Sequence, residues 1–176
     1  MKRTVFALAI TSICVSGQAA IWGFAAPVIN GLQEVPPVFT NAYGTASFTV
    51  DDTTFRMEGS LNVWNIPTTR TTGAHLHVAP VGVNGPVRFD ILGNQVAGSP
   101  VVSGNQVTYV FRGTLLDPVA TFAALVAGNT YINVHSPQFP GGEIRGQVDC
   151  LGIIPEPASL AALGVGLAFL IRRKRK

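Results

Sequence analysis

The stretch GAHLHVAPVGVNGP holds His75 and His77 with a single leucine between them, and the third histidine, His135, lies in TYINVHSPQFPGGEIRGQVD. An H-x-H pair on a strand points both imidazoles to one face. With a third, distant histidine it is a recurrent way to offer three nitrogens to zinc or copper. Glu143 stands close by in sequence as a fourth ligand or as a group orienting a ligand. The hairpin that carries His135 has an ordered polar face of its own. If TYINVH and GEIRGQVD pair as a symmetric hairpin about Phe139, then His135 faces Glu143, Asn133 faces Arg145 and Tyr131 faces Gln147. Ile132, Val134, Ile144 and Val148 then line the opposite, apolar face. Three chemistries fit this set. The first is a hydrogen-bonded network of the histidines with Glu34, Asn133 and Arg145 that pins loops over one sheet face, Arg145 neutralising Glu143. The second is a copper or zinc site on His75, His77, His135 and Glu143. The third is a glycan pocket that uses Tyr131.

Other reaction classes find little support. Glu34 and Glu143 are a conceivable carboxylate pair, but their separation decides that chemistry and is not readable from sequence. The serines lack a nucleophile-elbow context, and no glycine loop of phosphate-cradling type occurs. No catalytic residue is assigned, and the expectation is a non-enzymatic module without an obligatory cofactor.

The elements that must position these residues read as β-structure. In TFRMEGSLNVW, VRFDIL and QVTYVFR apolar residues alternate with polar ones, and Asn84-Gly85, Gly93-Asn94 and Gly104-Asn105 supply residues that tolerate positive φ in tight turns. The pattern predicts an all-β fold, an antiparallel sandwich or Greek-key barrel of immunoglobulin- or superoxide-dismutase-like type. One short helix interrupts it: LLDPVATFAALVAGN offers Asp117 as N-cap, Pro118 at the first helical position and Gly128 past the end.

The net charge of +3 belongs to the ends of the chain, where seven of the twelve basic residues lie. Between Pro27 and Ile154 five arginines face eight carboxylates, so the body is mildly acidic and has no basic stripe for nucleic acid. Residues 1–20 read as a signal peptide: Lys2 and Arg3, an apolar run from Thr4 to Val15, then SGQAA. Cleavage is expected near Ala19 or Ala20, or as late as residue 26. Removal of Cys14 leaves Cys150 as the one cysteine, so the mature chain has no internal disulfide. A β domain is expected over 28–150. Beyond it Pro155, Glu156 and Pro157 precede fourteen apolar residues, 158–171, and a basic tail that starts with Arg172 and Arg173. As a helix those fourteen residues reach about 21 Å, short of the roughly 30 Å of a bilayer core. They suit transient insertion in the inner membrane.

This tail, residues 154–176, resembles the PEP-CTERM sorting signal of Gram-negative bacteria. The resemblance implies recognition by an exosortase-type membrane protease, removal of the helix, and a destination at the cell surface or in the exopolysaccharide matrix. The body resembles the CHRD domain, first described in chordin and common in exported bacterial proteins. GLQEVPPVFTNAYGTASF, GAHLHVAPVGVNGPVRFDI and AGNTYINVHSPQFPGGEIRGQV carry the likeness. It implies an extracellular β-sandwich module acting by binding or packing, with a matrix polysaccharide or surface protein as partner. GAHLHVAPVGVNG is also locally similar to the H-x-H strand of copper/zinc superoxide dismutases. The bridging histidine, zinc loop and disulfide of that family are missing, which speaks against dismutation.

Overall fold

The computed structural model describes residues 19–155. Most of the signal segment lies outside the described residues, as do Glu156, Pro157, the apolar run 158–171 and the tail with Arg172 and Arg173. Ten strands form one antiparallel sheet: β1 (Ile21–Asn30), β2 (Tyr43–Asp51), β3 (Arg56–Trp64), β4 (Gly73–Val78), β5 (Val87–Asp90), β6 (Val101–Ser103), β7 (Gln106–Thr114), β8 (Thr130–His135), β9 (Ile144–Gln147) and β10 (Asp149–Ile153). One helix, α1 (Pro118–Val126), joins β7 to β8. The strand order is β5-β4-β8-β9-β1-β2-β3-β7-β6, with β10 paired to β1. The sheet curls on itself, because Phe89 of β5 meets Phe111 of β7 at 5.7 Å between ring centroids although those strands stand near opposite ends of the order. Of the two expected forms, the all-β domain takes the barrel-like one.

Alternation explains the curl. Met57, Leu61 and Val63 on β3 and Val107, Tyr109 and Phe111 on β7 are buried, and they meet Phe24, Phe48, Ile132 and Val134 in one core. Polar neighbours on each strand face outward, so closing the sheet around the apolar face removes it from water. The β domain is wider than 28–150. Phe24 and Ala26 of β1 are core residues, and Trp22 and Gly23 pair with Ile153 and Gly152 of β10. Pro27 sits where the β1–β2 register shifts between Ala26 and Ile29, a place where a missing N–H breaks no ladder.

Two local expectations are corrected. Asp117 precedes α1 as foreseen and Gly128 follows it at φ +71°, but the Asp117 side chain makes no capping bond. It adopts a left-handed conformation (φ 45°, ψ 63°), and its backbone carbonyl accepts from Thr121 N–H. Of the three Gly/Asn turns, Gly104-Asn105 alone has a residue of positive φ, Gly104 at +60°, in the β6–β7 hairpin. Gly85 is required for a different reason: a Cβ there would collide with the Val78 carbonyl.

Candidate metal centre

Three adjacent strands build the polar face. β4 runs antiparallel to β8, with Gly73 opposite His135, His75 opposite Asn133 and His77 opposite Tyr131. β8 runs antiparallel to β9, with Asn133 opposite Arg145 and Tyr131 opposite Gln147, the register expected from the symmetric hairpin. The two-residue period of each strand therefore gathers His75, His77, Tyr131, Asn133, His135, Arg145 and Gln147 on one side.

Within this face the histidines converge. His75, His77 and His135 each offer a ring nitrogen, and these atoms lie within 4.8 Å of one another. His75 Nδ1 is 3.2 Å from His135 Nε2. Nitrogens that each lie about 2.0–2.1 Å from a shared ion stand about 3–4 Å apart; the His75–His135 pair has that spacing, and the full trio, within 4.8 Å, lies just beyond it. Backbone carbonyls fix two of the tautomers. His77 Nδ1 is 2.9 Å from the Gly85 carbonyl oxygen, and His135 Nδ1 is 3.1 Å from that of Pro140. A carbonyl only accepts, so both Nδ1 atoms carry the proton and both Nε2 atoms keep a lone pair. His77 Nε2 is buried without any hydrogen-bond partner. His75 Nε2 lies 4.0 Å from Asp90 Oδ1, which gives its proton a carboxylate to face when Nδ1 acts as ligand. Without an ion, the Nδ1–H tautomer of His75 donates to His135.

Burial favours neutral imidazoles throughout. Desolvation pushes all three histidines below the ordinary value of 6.5. Asp90 pulls His75 back, and the Gly85 and Pro140 carbonyls do the same for His77 and His135. The charges of His75, His135 and Arg145 push His77 lower still. Gly73 makes room for the cluster, since a Cβ there would stand 2.9 Å from His75 Cε1 and 3.3 Å from His135 Cδ2.

The other expected members form a second cluster beside the first. Glu143 does not join the three converging nitrogens; its Oε1 accepts from Thr40 Oγ1 at 2.8 Å, held by the loop before β2. Nor does Arg145 neutralise Glu143. Its guanidinium donates to Asn84 Oδ1 (3.1 Å), the Pro80 carbonyl (3.3 Å) and the Val83 carbonyl (2.8 Å), because it reaches across the sheet face under the β4–β5 loop. It also lies 3.5 Å above the centre of the Tyr131 ring. The opposite face of Tyr131 stacks on His77, with ring centroids 4.8 Å apart and an interplanar angle of 11°. Tyr131 is thus covered on both faces and its hydroxyl oxygen accepts from Gly85 N–H, so it offers no platform to a sugar. Gln147 Nε2 donates to the carbonyls of Ala79 and Gly128, tying two loops together.

Glu34 is 5% exposed and receives one long bond, from Asn133 Nδ2 at 3.5 Å. Burial raises its carboxyl to about 7, against the opposing pull of Arg145. Gly73, Gly85, Asp90, Asn84 and Pro140 all support the site and were not recognisable as such in the sequence. Gly73 and Gly85 flank the histidine pair within the quoted motif, and that proximity was the one available signal.

Comparisons with known proteins bear on the family of the domain and on the tail. A family model described as the CHRD domain matches residues 26–148, and one described as the PEP-CTERM protein-sorting motif matches residues 154–176. No match was found among curated proteins or among solved structures. The sorting motif indicates processing by an exosortase and marks an exported protein directed to the cell envelope. Pro155, its first proline, is exposed directly after β10. Among the described residues no helix is long and apolar enough to cross a membrane. The CHRD match covers the strands that carry all three histidines, and the chain belongs to the CHRD domain family.

Proposed function

We propose that this protein is an exported, exosortase-processed module of the Gram-negative cell surface or extracellular matrix that holds one copper or zinc ion on His75, His77 and His135. It acts by binding and not by turnover. The observation that carries the reading is the pair of carbonyl-fixed imidazoles whose Nε2 lone pairs converge with His75 Nδ1, one of those lone pairs being buried with no other partner. A hydrogen-bonded cluster alone would leave that nitrogen unsatisfied, which costs about 1–3 kcal/mol. The neighbouring network of Glu34, Asn133, Arg145 and Gln147 orders the loops that supply the Gly85 and Pro140 carbonyls.

The test is metal content and melting temperature of the mature domain, purified without chelators. One equivalent of copper or zinc is expected, with a higher Tm on loading; at a hundredfold excess over Kd an ion adds about 2.7 kcal/mol. The His75→Ala, His77→Ala double variant should lose both the metal and the shift. Metal-free protein whose Tm ignores both ions would overturn the reading. Separately, the intact mass of secreted protein should lack residues 158–176; their retention would refute the processing step.

A further inference from the structure

The metal-site reading fixes where an ion would sit, and the charges around the trio bear on which ion. All three donors are neutral imidazole nitrogens, and among the described residues no carboxylate or thiolate joins them. A divalent ion held there would keep its full charge in a partly buried setting. The nearest carboxylate, Asp90, stands 4.0 Å from His75 Nε2 but is half-exposed and screened by water, whereas the nearest buried charge is positive. The Arg145 guanidinium is stacked on Tyr131, and Tyr131 is stacked on His77, so one aromatic ring separates the cation from a ligand. Arg145 is 1% exposed, and among the described residues no carboxylate lies within 4.0 Å of its guanidinium. Carbonyl and amide oxygens hold the guanidinium, so its charge is oriented but not cancelled.

We propose that the site is selective for copper in the +1 state over copper(II) and zinc(II), and that Arg145, acting through the Tyr131–His77 stack, sets this preference as a positioning residue. Copper(I) accepts three nitrogens without an anionic fourth ligand, and it presents one unit of charge less to the guanidinium. Geometry supports the path: the stack is nearly parallel at 11° and both contacts are close. The 3.5 Å and 4.8 Å spacings of the stack, with a metal–nitrogen bond of about 2 Å, put the guanidinium about 9 Å from an ion on His77 Nε2. At an effective dielectric of about 20, a unit charge at that distance changes the copper(I) to copper(II) affinity ratio by about tenfold or more. Glu34, on the same face and coupled to Arg145, opposes this effect when ionised.

The inference rests on the metal-site reading, and the experiment separates the two. Apo protein is titrated anaerobically at pH 8 with copper(I) against a competing chelator, and with copper(II) and zinc(II) in parallel. Wild type should bind copper(I) most tightly. Arg145→Met should lower the copper(I)/copper(II) affinity ratio about tenfold, and Arg145→Lys should restore most of it. Glu34→Gln should move the ratio the other way by severalfold, and it carries the test alone if Arg145→Met does not fold. Binding of no ion, or equal binding by the His75→Ala, His77→Ala variant, would refute the metal site itself. Zinc(II) or copper(II) binding as tightly as copper(I), or ratios that ignore both charge variants, would overturn only the copper(I) preference.

Discussion

Glu34 gives the most quantitative consequence of this structure. Its carboxyl is raised from 4.5 to about 7 because burial disfavours the charged form more than Arg145 favours it. A group whose folded value lies above its unfolded value binds protons more readily in the native state. Its contribution to stability is therefore complete below pH 4.5 and is lost as pH rises through about 7. At 1.36 kcal/mol per unit, the loss amounts to about 3 kcal/mol between pH 4.5 and pH 8. Glu34→Gln replaces the carboxylate with a neutral side chain of the same shape and should abolish this slope. The histidines titrate with the opposite sign, since their lowered values penalise folding as pH falls below 6.5. They are shared by both proteins and cancel in the difference. Urea denaturation of chelator-treated wild type and Glu34→Gln across pH 4.5–8.5 is the assay. With a slope of about 1–3 kcal/mol per molar urea, the variant should gain about 1–3 M in midpoint relative to wild type on going from acid to pH 8. Midpoint profiles that stay parallel over the whole range would refute the assignment of a carboxylate whose desolvation outweighs its partners.

Four further outcomes are expected. Because burial holds all three histidines below 6.5, a bound ion should remain on the protein below pH 6.5 and leave only as the imidazoles protonate; dialysis at stepped pH with metal analysis checks this. Gly73→Ala places a methyl group against His75 Cε1 and should weaken metal binding about 10- to 100-fold while moving Tm by little, the signature of a supporting residue. The mature N-terminus should fall at Ala20 or Ile21, read directly by mass spectrometry, because a cut at residue 26 would discard Trp22, Phe24 and the β1–β10 ladder. In the same strand Phe24→Ala should cost about 3–5 kcal/mol in chemical denaturation.

Much of this fold was legible because alternation in a half-buried strand is a local signal. TFRMEGSLNVW and QVTYVFR each carry a buried face that any register must respect, and they became β3 and β7. The closing hairpin was legible for the same reason: its apolar and polar residues separate only under one pairing, and Asn133 opposite Arg145 is that pairing. Less legible was the reach of β1. Its residues IWGFAAPVIN mix small and apolar types without alternation, since β1 pairs with β2 along one edge and with β10 and then β9 along the other. Glu143 and Arg145 were misread together. Their adjacency suggested an ion pair, but long side chains follow the partners that tertiary packing supplies, Thr40 for one and the β4–β5 loop for the other.

Periodicity, charge and hydropathy by themselves determined a β-domain behind a signal segment and put His75 and His77 on one face of their strand; the sorting tail was read from its resemblance to a known signal. Those are properties of short segments, set by side-chain period and by charge and hydropathy along the chain. The tertiary structure alone decided, through the β4–β8 pairing, that His135 joins that face, and which nitrogen of His77 and of His135 is free. Tautomer and convergence depend on carbonyls from Gly85 and Pro140, in loops that no local pattern links to the histidines they hold. It also decided that a buried cation stands behind His77, because Arg145 is placed by contacts 61 to 65 residues away in sequence.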